Sequence, residues 1–158
     1  MPAKTTAYDT ALLQLIFNKS TMSVQNNANS ASVTLAADGS ALPNLYVSLH
    51  YASPGLTGYQ NTTEASYSTY ARQPVPRTNA TPGWSISGSS VSPTQTISFP
   101  AATGVDPNTG NQPMQYFGVG TSLTGAGTLL YFGGISPTIT ITAGVTPQLT
   151  TTSSITEA

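Results

Sequence analysis

The stretch Leu45-Tyr46-Val47-Ser48-Leu49-His50-Tyr51 decides the fold class of this chain, because apolar and more polar side chains alternate along it. The odd-numbered positions, from Leu45 to Tyr51, share one apolar face. The even-numbered positions, which include His50, share the opposite face. Alternation with a period of two is typical of a β-strand that packs one face against a core. The sequence therefore predicts a strand here.

Further short runs of this kind predict a mainly β protein. Turn-forming residues separate them, and the 14 glycines and 12 prolines are spread along the chain. Roughly seven or eight strands at such spacing indicate a single antiparallel β-sandwich or jelly-roll-like domain. The predicted strands are residues 45–51, 84–87, 94–99, 115–120, 129–133 and 137–142, with 32–36 and 148–155 as further candidates.

One segment, residues 6–18, has helical spacing instead, and it predicts a short N-terminal helix. Thr6 followed three residues later by Asp9 resembles a capping box, and Asn18 is expected to end the helix. Residues 20–32, rich in serine and asparagine, are expected to form a surface loop. The stripe expected to face the core consists of Tyr8, Leu12, Leu15 and Ile16.

The chain has the length of one ordinary domain and shows no internal repeat. We expect residues 1–5 to form an N-terminal arm and residues 6–149 to form the β-sandwich with its helix. Residues 150–158 are expected to be a C-terminal arm or a last strand. The start lacks the apolar run of a secretory signal, and no stretch is apolar enough to span a membrane, so we expect no membrane partner.

Charged residues are scarce, at 6% of the chain, with four lysines and arginines and a single histidine. Enzymatic chemistry depends on ionisable groups, so this composition favours a protein that packs against other proteins over an enzyme. The lack of cysteine excludes disulfides and thiolate-held metal sites. A net charge of −1, with only four lysines and arginines, does not provide the basic surface that binds nucleic-acid phosphates. We therefore expect no catalytic residue, metal, cofactor or nucleic-acid partner.

Three patterns could carry chemistry, and each has a plainer explanation. His50 could be a catalytic base only beside a nucleophile and an acid, and without a Gly-x-Ser-x-Gly elbow we expect a surface or loop-covered histidine. Glu64 and Asp106 could pair across a cleft like glycosidase carboxylates, but nothing in their spacing selects them. Residues 106–111 faintly resemble a calcium loop without its later acidic ligand, so an ordinary turn is favoured.

Arg72 is the most informative charged residue, because it follows the aromatic stretch 67–71 and lies eight positions after Glu64. Its guanidinium could stack on the neighbouring rings. One interpretation is an Arg72–Glu64 pair that anchors a long loop, and the other is a contact between subunits. The residues expected to make structural or partner contacts are Lys4, Glu64, Tyr70, Arg72 and Trp84.

Several segments, taken together and in chain order, carry a resemblance. They are the helix, Leu45-Tyr46-Val47-Ser48-Leu49, Ser53-Pro54-Gly55, Glu64, Tyr70-Ala71-Arg72, Trp84, Ile97-Ser98-Phe99-Pro100-Ala101-Ala102-Thr103-Gly104, Tyr116-Phe117-Gly118-Val119, Leu129-Leu130-Tyr131-Phe132-Gly133 and Thr146-Pro147-Gln148-Leu149. This pattern, over about residues 8–155, resembles a family of small tailed-bacteriophage virion proteins often labelled phage tail fibre protein. Similar small β domains serve as head decoration or cement proteins.

The resemblance implies a structural protein of the virion. A fibre shaft is long and repetitive, whereas this chain is short and without repeat or heptad, so we expect a capsid decoration protein. Its partners would be the major capsid protein and further copies of itself, contacted through the termini and the β edges. The alternative is a tail or tail-fibre structural or receptor-binding protein. Only that alternative would involve a host surface glycan. A third interpretation is a free carbohydrate-binding module or an enzyme. The module would need a row of exposed aromatic side chains, for which the tyrosines at positions 51, 59, 67 and 70 are the candidates.

Overall fold

The computed structural model describes residues 4–25, 32–35, 42–107, 110 and 113–157. These residues form one helix and eleven strands, and the strand pairs with a defined register are antiparallel. The predicted fold class, mainly β and antiparallel with one short N-terminal helix, is confirmed. The elements are α1 (Thr6–Asn18), β1 (Met22–Gln25), β2 (Ser32–Leu35), β3 (Asn44–His50), β4 (Gln73–Pro76), β5 (Trp84–Ser87), β6 (Ser90–Pro93), β7 (Ile97–Ser98), β8 (Met114–Gly120), β9 (Leu129–Ile139), β10 (Gln148–Leu149) and β11 (Ile155–Thr156).

The described residues divide into two compact units, which we call the helix unit and the sheet unit. The helix unit draws on Met1–Pro43, Pro76–Gln95 and Thr151–Ala158, and the sheet unit on Asn44–Val75 and Thr96–Thr150. The predicted division into two arms and a body remains a prediction.

The sheet unit is built on a four-stranded sheet with the order β4-β3-β8-β9. Strand β3 lies at its centre and pairs with β8 so that Val47 faces Val119 and His50 faces Tyr116. The apolar face predicted for β3 is buried from Leu45 to Leu49, as the alternation requires. On the opposite face Ser48 and His50 are buried as well, because the chain after β3 folds back over them. A short β7–β10 pair completes the unit.

The helix unit contains α1 and the sheet β5-β6-β11. Helix α1 has the predicted bounds, but Thr5 rather than Thr6 is its N-cap, since the Thr5 side chain accepts from the backbone N–H of Tyr8 at 3.3 Å. The predicted core-facing stripe of α1 is wrong, because a neighbouring face of the helix is buried instead. Tyr8 is exposed, and Asp9, Leu13 and Phe17 are buried. Apolar side chains surround the second half of α1, so spacing alone does not select a single stripe.

The structure corrects other boundaries. Residues 20–32, expected as a loop, contain β1, which forms a hairpin pair with β2. Strands β4 and β6 were not predicted, because each contains proline, which weakens a strand pattern. The two predicted strands at 129–133 and 137–142 form the single strand β9. The candidate strand 148–155 is divided between β10 and β11, which belong to different sheets.

Candidate functional site: the Glu64–Arg72 clamp

The site begins where the chain leaves β3. The backbone turns back so that Glu64 lies opposite His50 in an isolated antiparallel bridge. The amide of Ala65 donates to the carbonyl of Leu49 at 2.8 Å, and the amide of Tyr51 donates to the carbonyl of Thr63 at 3.0 Å. These bonds fix the position of Glu64 beside the end of a central strand. The carboxylate is therefore held by backbone pairing, although it lies in a connecting segment.

Arg72 binds this carboxylate in a two-pronged manner. Its Nε donates to Oε1 of Glu64 at 2.6 Å, and its Nη2 donates to Oε2 at 2.7 Å. The same guanidinium donates to the carbonyls of Ser122 at 2.8 Å and Gly125 at 2.7 Å. Arg72 is only 4% exposed, so the planar fork is needed to satisfy a desolvated cation. One side chain thus joins the 64–72 segment to the turn between β8 and β9.

Tyr70 completes the arrangement. Its hydroxyl donates to Oε1 of Glu64 at 2.8 Å and accepts from the amide of Leu49 at 3.1 Å. Burial, followed by the nearby charge of Glu64, raises the pKa of Tyr70 well above its usual value, so the hydroxyl stays protonated and able to donate. The aromatic neighbour predicted to stack on Arg72 instead binds the same carboxylate through its hydroxyl. We call Glu64, Tyr70 and Arg72 the clamp.

A second carboxylate, Asp106, holds the segment between the clamp residues. It is fully buried and accepts from the amide of Ser66 at 2.5 Å and from its hydroxyl at 2.7 Å. Glu64 and Asp106 therefore each have their own partners and do not form the paired carboxylates that the sequence left open. The amide of Gly110 donates to the carbonyl of Asp106 at 2.7 Å. The rest of the faint calcium-loop pattern lies outside the described residues.

A buried polar layer fills the space between β3 and the segment that covers it. His50 Nδ1 lies 2.8 Å from the carbonyl of Thr62, an acceptor, so this nitrogen carries the proton. Its Nε2 then accepts from the hydroxyl of Ser48 at 2.9 Å. Burial lowers the pKa of His50, which keeps the ring neutral. His50 is the loop-covered histidine that the sequence allowed. Since Ser48 and His50 are both fully buried, this pair offers no access to a substrate.

Gln60 extends the layer. Its Nε2 donates to the carbonyl of Tyr46 at 2.9 Å, and its Oε1 accepts from the amide of Ser122 at 3.1 Å. These contacts require small residues on β8: a Cβ at Gly118 would lie 2.6 Å from His50 Nε2, and one at Gly120 would lie 2.5 Å from the Gln60 amide. Gln60 and Arg72 therefore both bind the β8–β9 turn.

The clamp lies at the wall of a surface cleft of about 350 Å³. Two loops expose large apolar side chains to solvent, and one of these side chains, Leu123, also lines the cleft. Leu56 is 97% exposed, Tyr59 62% and Leu123 49%. The first two belong to the segment that Gln60 fastens and the third to the turn that Arg72 fastens. The cleft is lined by Glu64, Ala65, Tyr70, Ala71, Arg72, Leu123, Thr124 and Gly125.

The other two predicted contact residues lie in the helix unit. Trp84 is buried, with its ring 4.8 Å from that of Phe17 in an edge-to-face contact. Lys4 forms ion pairs with Glu157 and, at 3.7 Å, with Asp9. Both therefore have contacts within their own unit.

Sequence reasoning missed Arg77, whose guanidinium binds three backbone carbonyls. It donates to Ile16 at 2.5 Å, Leu15 at 2.7 Å and Leu42 at 3.1 Å. The first two carbonyls belong to the last turn of α1, which has no later amide of its own helix to bind. Desolvation lowers the pKa of Arg77.

The row of aromatic side chains expected of a glycan-binding module is not formed by the four candidate tyrosines. Tyr67 is buried with its hydroxyl on the carbonyl of Pro100, and Tyr70 belongs to the clamp. Of the four, only Tyr59 is largely exposed. Across the described residues, no group of three or more histidines and carboxylates could hold a metal ion. In that same part of the chain, no helix is long and apolar enough to cross a membrane.

Comparison with known proteins identifies a family. The family model described as Podophage GP4 fiber I protein gp80 matches residues 20–156, which is most of the chain. The matched region contains the clamp, the polar layer and all eleven strands, and it begins after α1. No curated protein matches the sequence. The resemblance to tailed-phage virion proteins is thereby confirmed.

Proposed function

The chain belongs to this family of podophage fibre proteins, and from that premise we propose that it is a structural component of a virion fibre. The observation that supports the proposal is the match of the family model to residues 20–156. The description of the family favours the fibre over the capsid decoration role that the absence of repeats suggested. A short chain can still serve a fibre as one of its joints or terminal parts, since those parts need no repeat.

The architecture of the site supports a mechanical role. Arg72 donates four hydrogen bonds, two to Glu64 and one to each of two backbone carbonyls, and Gln60 binds the same turn. Such groups hold loops in place and are already satisfied, so they have little capacity left to bind a reacting molecule. We propose that the protein acts without catalysis, cofactor or nucleic acid.

The two fastened loops are the surface that we propose for contact with another virion protein. Leu56, Tyr59 and Leu123 expose apolar area that would be buried in such a contact. Their backbones are held in advance, so little ordering entropy is lost when a partner binds. A neighbouring fibre or tail protein is the partner that this role requires.

The number of copies per virion tests the fibre proposal. Quantitative mass spectrometry of purified virions should give a few to a few dozen copies for each particle, measured against the major capsid protein. A count in the hundreds, in simple ratio to the capsid protein, would overturn the fibre proposal and establish the decoration role.

Location provides an independent check. Virions that carry a tag after residue 157 should bind gold-labelled antibody at the fibres and not over the capsid surface.

The triple variant Leu56→Ser/Tyr59→Ser/Leu123→Ser should fold as the wild type does but assemble into virions less efficiently. Normal incorporation of that variant would exclude the two loops as the contact surface.

A further inference from the structure

Strand β9 is the longest strand of the structure and lies at one end of the four-stranded sheet. Among the described residues it has a strand partner on one side only, β8. The backbone groups on the other side of such a strand can pair with a strand from another chain. The pairing of β9 with β8 is regular from Tyr131 to Gly134 and has a register shift on either side of that stretch.

Over its first eight residues, the side chains of β9 offer little protection against such pairing. The segment from Leu129 to Ile139 contains no charged residue. Monomeric proteins commonly protect their edge strands with lysine, with other charges or with proline. Here the single proline of the strand, Pro137, comes only after eight residues. Leu130 is 37% exposed, and Phe132 and Ile135 are half-buried, so apolar area accompanies the open edge.

The opposite edge of the same sheet, β4, is protected. The amide of Arg77, one residue after β4, donates to the carbonyl of Pro43, one residue before β3. Because amides alternate between the two sides of a strand, the amide positions of Pro74 and Pro76 face away from β3. Proline has no N–H, so this edge offers no donor at either position. A head-to-tail row of sheets joined from β9 to β4 is therefore disfavoured.

We propose that β9 is a subunit interface, at which it pairs antiparallel with β9 of a second copy of this chain. Two identical edges placed antiparallel are self-complementary, which is the requirement for a closed twofold dimer. No like charges meet, since neither copy brings a charge to the edge. The result is a continuous eight-stranded sheet across two subunits. This inference concerns the purified protein and does not depend on its place in the virion.

Gly134 offers the sharpest test. It is exposed, and a side chain there would meet nothing within 4 Å in the single chain, so Gly134→Lys should fold normally. In the dimer the same lysine would place a charge in the paired edge of each copy. Leu130→Lys is a second variant on the same strand. Leu56→Lys, at a position 97% exposed in a loop, is the matched control.

Sedimentation equilibrium over a range of concentrations should give the wild type and Leu56→Lys a mass about twice the 16.3 kDa of the chain. The two β9 variants should show half that mass, with the circular dichroism spectrum and melting temperature of a folded protein. A monomeric wild type would overturn the proposal, as would a dimer that survives both β9 variants or dissociates in Leu56→Lys. A trimer or larger closed assembly would also overturn it, because two β9 edges join only a pair.

Discussion

Each of the two units contains one buried arginine, and the two arginines bind their own units by different means. Arg72 in the sheet unit is paired with the carboxylate of Glu64 and binds two carbonyls as well. Arg77 in the helix unit binds only carbonyls, two of them at the end of α1. Both are nearly fully buried. The comparison shows that a buried guanidinium can be accommodated either by an opposite charge or by several fixed dipoles.

This difference predicts unequal sensitivity. A buried cation that loses its counter-charge becomes an uncompensated charge, which is among the most destabilising changes known in proteins. A cation held by dipoles contributes individual hydrogen bonds, each of smaller magnitude. The predictions below test that ranking, beginning with the largest effect.

Glu64→Gln should have the largest effect. It retains the shape of the side chain but leaves Arg72 buried without an opposite charge, and we expect a loss of roughly 3–5 kcal/mol in the free energy of unfolding. Urea denaturation measures it. The double variant Glu64→Gln/Arg72→Met should recover part of this loss, because removing both charges leaves no uncompensated cation.

Glu157→Gln is the matched control for that measurement. It also converts a carboxylate to an amide, but its partner Lys4 is about one-third exposed, so the surrounding water screens the pair. We expect only a small change in stability. If Glu64→Gln were no more destabilising than Glu157→Gln, the ionic half of the comparison would be wrong.

Arg77→Met should have the next largest effect, a loss of roughly 1.5–3 kcal/mol, the usual range for hydrogen bonds to a charged group. The carbonyls of Leu15 and Ile16 would lose their donor, so amide hydrogen exchange should accelerate in α1 while the four-stranded sheet keeps its protection. Arg77→Lys should restore the charge but only part of the stability, because an ammonium group lacks the planar fork. Full rescue by lysine would mean that charge alone, rather than geometry, holds the helix end.

Whether an interaction could be predicted from the sequence depends on how far apart along the chain its two groups lie. The alternation from Leu45 to His50 is local, so it identified β3. The Arg72–Glu64 pair was one of two interpretations, since both residues lie in one short stretch. Arg77 binds carbonyls of residues far earlier in the chain, and Asp106 binds Ser66 forty positions away. Such contacts arise from tertiary folding, and no local pattern records them. Neither spacing nor composition distinguishes these two charges from solvent-exposed ones.

The sheet unit is also held by the uncharged hydrogen bonds of its buried polar layer, and Gly118→Ala tests their contribution to stability. The added Cβ would lie 2.6 Å from His50 Nε2 and 2.7 Å from Ser48 Oγ, so the polar layer would have to shift. We expect a loss of roughly 1–3 kcal/mol, as for other overpacked sites. Gly134→Ala, in the neighbouring strand with open space around it, should change stability by less than about 0.5 kcal/mol. Equal effects of the two substitutions would show that the close approach at Gly118 contributes nothing.

Mild acidification should have the smallest effect on the free energy of unfolding. It tests the polar layer around His50 rather than the clamp. Burial lowers the pKa of His50 in the folded protein, although Glu64 acts to raise it and Arg72 to lower it. In the unfolded chain the histidine titrates near pH 6.5. Between these two pKa values the unfolded state binds more protons, so stability is full above about pH 6.5 and falls as the pH drops below it.

The slope from this single group cannot exceed about 1.4 kcal/mol for each pH unit. Urea denaturation at pH 7.0, 6.5, 6.0 and 5.5 should show the decline in the wild type. His50→Gln should be less stable at pH 7 but nearly independent of pH over this range, because the chain contains no other histidine. A decline that persists in His50→Gln would assign the pH dependence to other groups. A flat wild-type profile would mean that His50 titrates equally in both states, and the polar layer would then tolerate a charged ring.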